Sequence, residues 1–182
     1  MSMKLLGVNL AEVPSTTAMH ELGLTVEDPR GGQGTTTYTW YPNGQATVTT
    51  VTYNYSPGSC FKYCKALGTI TAGDSVKLDV TATQAERFAS VIRTAAVDES
   101  IEGVALASAT TGQYLWVQIG GNYKSANVAT AAAAGDVLGG SATAGRLATA
   151  TASAANAYAT ACGRGIRATS AGSSNTADII IY

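Results

Sequence analysis

The stretch IEGVALASATTGQYLWVQIGGNYKSANV, from Ile101 to Val128, decides how the rest of the chain is read. Val104 and Leu106 alternate with Ala105 and Ala107. After a small-residue loop containing Gly112, Leu115, Val117 and Ile119 alternate with Trp116 and Gln118. Successive side chains of a strand point to opposite faces, so this period of two predicts an antiparallel pair with one buried face. Gly120-Gly121-Asn122 is predicted to turn the chain again. No nucleophile stands beside a base in this stretch, which points to a structural or binding protein.

The 182 residues suit one medium domain, or a compact domain with an extended arm, and suffice to bury a core. Only 13% of residues are charged, against about 25% in ordinary soluble domains. The formal net charge is -1 and the pI about 5.7, so no basic field recommends nucleic acid as a partner. Thr, Ser, Ala and 20 Gly take the place of charge. A surface of small neutral side chains loses little entropy when another protein covers it. Two readings therefore stand side by side: a soluble β-domain with a polar surface, or a surface largely buried in an assembly. The opening MSMKLLGVNLAEVPS has one Lys and a very short apolar run, too little for a signal peptide or a membrane span. Synthesis and folding in a cytoplasm is the default that follows.

Upstream of the deciding stretch, residues 1 to about 34 are interrupted by Pro14, Pro29 and Gly31-Gly32-Gln33-Gly34. They still carry two apolar sets: Leu5, Leu6, Val8 and Leu10, then Met19, Leu22, Leu24 and Val26. A merely disordered tail would be poorer in such residues. The region reads as an arm lying on its own domain or on a neighbouring subunit. A hairpin follows, with Thr35–Tyr41 and Gln45–Tyr55 as strands around the turn Pro42-Asn43-Gly44. Tyr38 and Trp40 share one face; Thr37, Thr39 and Tyr41 share the other. Such aromatic stripes serve packing and interfaces more often than carbohydrate. Ser56-Pro57-Gly58-Ser59 marks the expected boundary between an arm-and-hairpin unit (1–58) and a β-domain (59–182).

Within the second unit, Thr71-Ala72-Gly73-Asp74 is a turn and Val76, Leu78 and Val80 form a half-buried strand. Thr83-Gln84-Ala85-Glu86 has the form of a capping box, with Ala85, Phe88, Ile92 and Ala95 on one face beyond it. One short amphipathic helix, covering a sheet or plugging a barrel, is expected there. Asp98, Glu99 and Glu102 form an acidic group that reads as a solvated turn, lacking the pattern of a calcium loop. Residues 126–161 are dominated by Ala, Thr, Ser and Gly and read as short strands of small side chains. Asp178-Ile179-Ile180-Ile181-Tyr182 is a terminal strand held in the core. An internal echo runs through this unit. Gly73-Asp74 recurs as Gly135-Asp136, Gly103-Val104 as Gly165-Ile166, and Val117 and Ile119 as Ile179 and Ile181, all at an offset of 62 residues. That constant register predicts two similar half units.

Chemistry is sparse. His20 is the only histidine, which argues against Ser-His-Asp and Cys-His machinery, and no GxSxG, Walker or GxGxxG motif occurs. Cys60, Cys64 and Cys162 are odd in number and read as reduced thiols, and no zinc spacing exists. Arg164 and Arg167 in Gly163-Arg164-Gly165-Ile166-Arg167 read as surface or interface ion-pair residues. No enzyme, cofactor or metal is expected.

Four stretches taken in order resemble the decoration, or cement, proteins of tailed-bacteriophage heads. They are ALGTITAGDSVKLDV (66–80), IEGVALASATTGQYLWVQIGG (101–121), AGDVLGGSATAGRL (134–147) and GRGIRATSAGSSNTADIIIY (163–182). HELGLTVEDPRGGQGTTTYTWYPNGQA (20–46) is similar to the opening of such proteins. The resemblance implies a mainly β fold, as a β-barrel, β-tulip-like or sandwich domain with one short helix and an extended N-terminal arm. It also implies a homotrimer on the outer capsid surface, made in the host cytoplasm, with neither nucleic acid nor membrane as partner. Leu5, Leu6, Val8, Leu10, Leu22, Leu24 and Val26 would bind the major capsid protein. Tyr38, Trp40, Tyr41, Trp116, Arg164 and Arg167 would form subunit interfaces. Deleting residues 1–34 is then expected to abolish capsid binding and leave the trimer folded. The alternative is a head-fibre base or tail-spike-like adhesin domain that holds host glycans on Tyr38, Trp40, Tyr41, Tyr53, Tyr55 and Trp116.

Overall fold

The computed structural model of the chain describes residues 3–4, 10, 12–28, 32–40, 47–55, 58–84, 86–97, 99–150, 165–169 and 175–182. Among these residues the fold is mainly β, and none is helical. The first five strands are β1 (Met3–Lys4), β2 (Thr25–Asp28), β3 (Gly32–Trp40), β4 (Thr47–Tyr55) and β5 (Ser59–Ala66). There follow β6 (Ser75–Leu78), β7 (Ser90–Arg93), β8 (Gly103–Ala105) and β9 (Tyr114–Asn127). The last four are β10 (Val137–Gly140), β11 (Leu147–Thr149), β12 (Ile166–Ala168) and β13 (Thr176–Ile181). Strands β3 and β4 form a two-stranded ribbon. All the others belong to one mixed sheet in the order β1-β2-β5-β7-β6-β8-β9-β13-β12-β10-β11. Strand β5 pairs with β9 as well as with β7, so the pairings β5–β7–β6–β8–β9–β5 make a closed cycle. Strand β2 lies in the main sheet beside β5, which carries the sheet across the boundary expected near residue 58.

Strand β9 is the longest element, and here two expectations are corrected. The chain does not turn at Gly120-Gly121-Asn122; the strand runs through it. Cys60 of β5 faces Gly120 while Phe61 faces Gln118, so Ile119 is an extra residue and the ladder bulges. Gly121 sits at φ 86°, and a Cβ there would come within 2.5 Å of Ser59 Oγ. Bulge and glycine bend the strand instead of reversing it. Its first half pairs with β5 and β8, and its second half with β13. The expected single buried face is also incomplete, since every residue from Leu115 to Ile119 is buried. Leu115, Val117 and Ile119 pack inside the closed cycle with Cys64, Ile70, Val76 and Val91. Trp116 packs on the opposite side, where the N-terminal segment covers it.

The antiparallel pair of β9 and β13 joins two halves with matching strand order, β7-β6-β8-β9 and β11-β10-β12-β13. The registers match too. Ser75 faces Val104 and Val76 faces Gly103, while Val137 faces Arg167 and Leu138 faces Ile166. Val104 faces Gln118 and Ala105 faces Val117, while Arg167 faces Ile180 and Ala168 faces Ile179. The offset is 62 on the outer strands and 63 on the middle one, so the second half holds one extra residue before β12. In both halves the turn aspartate closes the same loop. Asp74 Oδ2 accepts the Thr71 amide at 2.8 Å, and Asp136 Oδ2 accepts the Ala133 amide at 2.8 Å. The apolar core of the second half, with Val128, Leu138, Leu147, Ile166, Ile179 and Ile181, also takes in Ile101 and Val104 from the first, so the two halves share a core.

Among the described residues the expected helix is absent: its first part is the loop between β6 and β7, Ile92 lies in β7, and Ala85 is outside the described residues. The capping signal acts for one turn only. The Glu86 and Arg87 amides both donate to the Thr83 carbonyl at 2.9 Å, and Ser90 donates to Glu86 at 2.8 Å. The chain then enters β7, because β5 and β6 offer backbone partners on both sides of β-branched Val91 and Ile92. Val91 is fully buried, whereas Phe88, placed on the apolar face of the expected helix, is 70% exposed. The Glu86 carboxylate pairs with Lys65 Nζ at 2.8 Å.

Candidate functional site

Two surfaces are positioned by this fold: the face of β5 and β9 covered by residues 10–28, and the β3–β4 ribbon between β2 and β5. On the first, the sequence PheXTyr in β5 and Tyr-Leu-Trp in β9 puts Phe61, Tyr63, Tyr114 and Trp116 on one side of the sheet, since alternate residues share a face. Tyr63 and Tyr114 stack at 5.8 Å between centroids, and Tyr63 and Trp116 lie 5.0 Å apart. Leu10 and Val26 close over them, with Leu24 at the margin. His20 sits edge-on to Tyr63 at 5.0 Å and 5.3 Å from Trp116, and its Nε2 meets Glu12 Oε2 at 3.0 Å. Backbone bonds fasten the segment. Gly23 donates to the Tyr63 carbonyl, Tyr63 donates to the Leu24 carbonyl, and Tyr114 donates to the Ser15 carbonyl. The Met19 amide donates to the Tyr63 hydroxyl at 3.1 Å.

The candidate arm residues therefore divide. Leu10 and Val26 are buried in the chain's own core, and Leu22 and Leu24 are half-buried. Leu10 and Val26 therefore have almost no surface left to offer a capsid, while Leu22 and Leu24 keep part of theirs. Leu5, Leu6 and Val8 lie outside the described residues. The expectation that residues 1–34 are dispensable for folding is corrected on the same ground. Removing them strips β2 from β5 and uncovers Tyr63 and Trp116, each burial contributing about 1.5–3 kcal/mol per large side chain. Trp116, expected at a subunit interface or a glycan platform, is 1% exposed. It has no area to give to either. The sequence signal was present: a Trp alternating with buried aliphatics belongs to a strand buried on both faces if a second apolar segment exists to cover it. Leu24 and Val26, with Leu10, supply that cover, while Met19 of the same apolar set is 58% exposed.

Tyr38 and Trp40 lie in β3, facing Thr49 and Thr47 across the ribbon. Tyr41 and Arg164 fall outside the described residues. Arg167, on β12, is exposed and donates from Nη1 to the Gly135 carbonyl at 3.1 Å. Of the acidic group ahead of β8, Asp98 lies outside the described residues, and the other two carboxylates are paired within the fold. Glu102 pairs with Lys62 at 2.8 Å, and Glu99 pairs with Lys77 and accepts the amides of Ala95 and Ala96. Burial works against the Glu99 carboxylate, but Lys77 and the two amides outweigh it and hold its carboxyl below the usual range. Burial, helped by the Asp74 charge, pushes the Tyr123 hydroxyl up to about 12, and that hydroxyl donates to the Ala105 carbonyl at 3.2 Å. Burial pushes the Cys64 thiol up to about 12, Cys60 Sγ donates to the Gly58 carbonyl at 3.6 Å, and Cys162 lies outside the described residues. Among the described residues no three His, Cys, Asp or Glu side chains converge to hold a metal ion, and no helix is long and apolar enough to cross a membrane. No protein-family model matches the chain, and a search of curated proteins likewise returns no match.

Proposed function

We propose that this chain is a structural virion protein that sits as a homotrimer on the outer surface of a tailed-phage head and stabilises the capsid lattice. The observation that carries the reading is the fate of its charges. Lys62, Lys65, Lys77 and His20 each meet a carboxylate of the same chain, and the long ribbon of β3 and β4 contains no charged residue. Such a surface costs little to desolvate and to order, which suits a protein laid down over a lattice by contact area. The stretches that resemble decoration proteins support it, since they supply the Asp-turn, middle strand and last strand of both halves. We read the closed strand cycle as the small barrel of such a domain, and Leu5, Leu6 and Val8 as the remaining part of the arm that meets the major capsid protein. Three such contacts in one trimer multiply a modest affinity through effective concentration. The test is to image purified heads and to add the protein to heads stripped of it. Regular density at many lattice positions and co-sedimentation with stripped heads are expected. Absence from heads, or presence at one vertex alone, rejects the proposal.

A further inference from the structure

From Gly31 to Phe61 the chain contains no Asp, Glu, Lys, Arg or His. Within that window β3 and β4 each run nine residues, in unbroken register from Gly32↔Tyr55 to Trp40↔Thr47, and neither strand contains Pro. Among the described residues they pair only with each other. Proteins protect open strand edges with charge, Pro, bulges or short length. Neither edge of this ribbon has any of the four. The main sheet is different: its outermost strands, β1 and β11, are two and three residues long. A two-stranded ribbon by itself is marginal in water. This one, about 30 Å long at roughly 3.4 Å per residue, has two rows of outward backbone groups with no strand partner among the described residues.

We propose that these edges are the contact between copies of this chain: β3 of one copy pairs with β4 of the next, and three ribbons close into a six-stranded ring. The inference rests on the trimeric reading above and names what holds the trimer. The occupant follows from the ribbon having two unlike edges. A foreign strand bound to one edge leaves the other open in every copy. Head-to-tail pairing of identical copies covers both with a single kind of contact, and it closes when successive copies are related by a third of a turn. The Thr, Val and Tyr content of the strands favours extended pairing, and the lack of charge removes repulsion between like copies.

Sedimentation velocity and hydrogen exchange on the full chain test this, together with a variant whose residues 32–55 are replaced by a short Gly-Ser linker. The full chain is expected to sediment at three times its 18.5 kDa mass. Nearly all amides of β3 and β4 (Gly32–Trp40 and Thr47–Tyr55) should exchange slowly, whereas open edges would leave about half of them fast. The linker variant should be monomeric with the far-UV spectrum of the body retained. A variant that stays trimeric overturns the proposal, as does a full chain with half its ribbon amides fast, whatever the variant does. A monomeric full chain that still coats heads overturns this inference and leaves the proposed function standing. A trimer with a protected ribbon that ignores heads does the reverse.

Discussion

Gly121→Ala probes the bend on which both halves of the fold depend. The residue sits at φ 86°, and an alanine held there loses roughly 1–2 kcal/mol to its own backbone. Its Cβ would also stand 2.5 Å from Ser59 Oγ and 2.9 Å from Ser59 Cα. The hydroxyl can rotate away, but the Cα is backbone, so β5 must shift against β9, an overpacking cost of about 1–3 kcal/mol. Gly112 supplies the control: it has the same φ of 86°, with nothing within 4 Å of a built Cβ. Gly112→Ala should therefore show the torsional cost alone. The two variants are expected to differ by about 1–3 kcal/mol, or roughly 2–12 °C in midpoint at ~2–4 °C per kcal/mol for a chain of this size. Thermal and urea unfolding, followed by circular dichroism and tryptophan emission at one fixed concentration, measures the difference. Equal losses from the two substitutions would refute the close packing of β5 on the bend.

The paired turns give a second comparison. Asp74 is 4% exposed and holds both the Thr71 amide and Asn127 Nδ2 at 2.8 Å, whereas Asp136 is half-buried and receives the Ala133 amide and the Thr149 hydroxyl. Replacing Asp74 with Ala removes a buried acceptor from two part-buried donors and should cost about 2–3 kcal/mol, against about 1 kcal/mol for Asp136→Ala, where water replaces the carboxylate. Equal losses in urea unfolding would count against the assigned burial. Thiol labelling gives a third. Cys64 is buried with its thiol pushed up to about 12, and Cys60 is half-buried. Peptide mapping after iodoacetamide treatment should find Cys64 modified only as fast as the chain unfolds, at least roughly tenfold more slowly than in the urea-unfolded chain. Comparable rates would place Cys64 at the surface.

Local patterning determined most of the strands. The alternations at Val76–Leu78, Leu115–Ile119 and Ile179–Ile181 were legible because a period of two needs no partner to be read. The Gly-Asp turns were legible for the same reason, since the Asp74 and Asp136 bonds close within three residues. Long-range pairing decided the rest. Residues 83–95 carry a sound local helix signal, yet β7 forms because β5 and β6 flank it, and their ladders outweigh a weak propensity. Gly120-Gly121 has turn chemistry, but only the positions of Ser59 and Cys60 opposite it make a bulge of it. Trp116 and Val26 show the limit most clearly. Sequence alone identifies both as apolar, while their burial against each other depends on residues 10–28 folding back over β5 and β9, contacts that join positions about ninety apart in the chain.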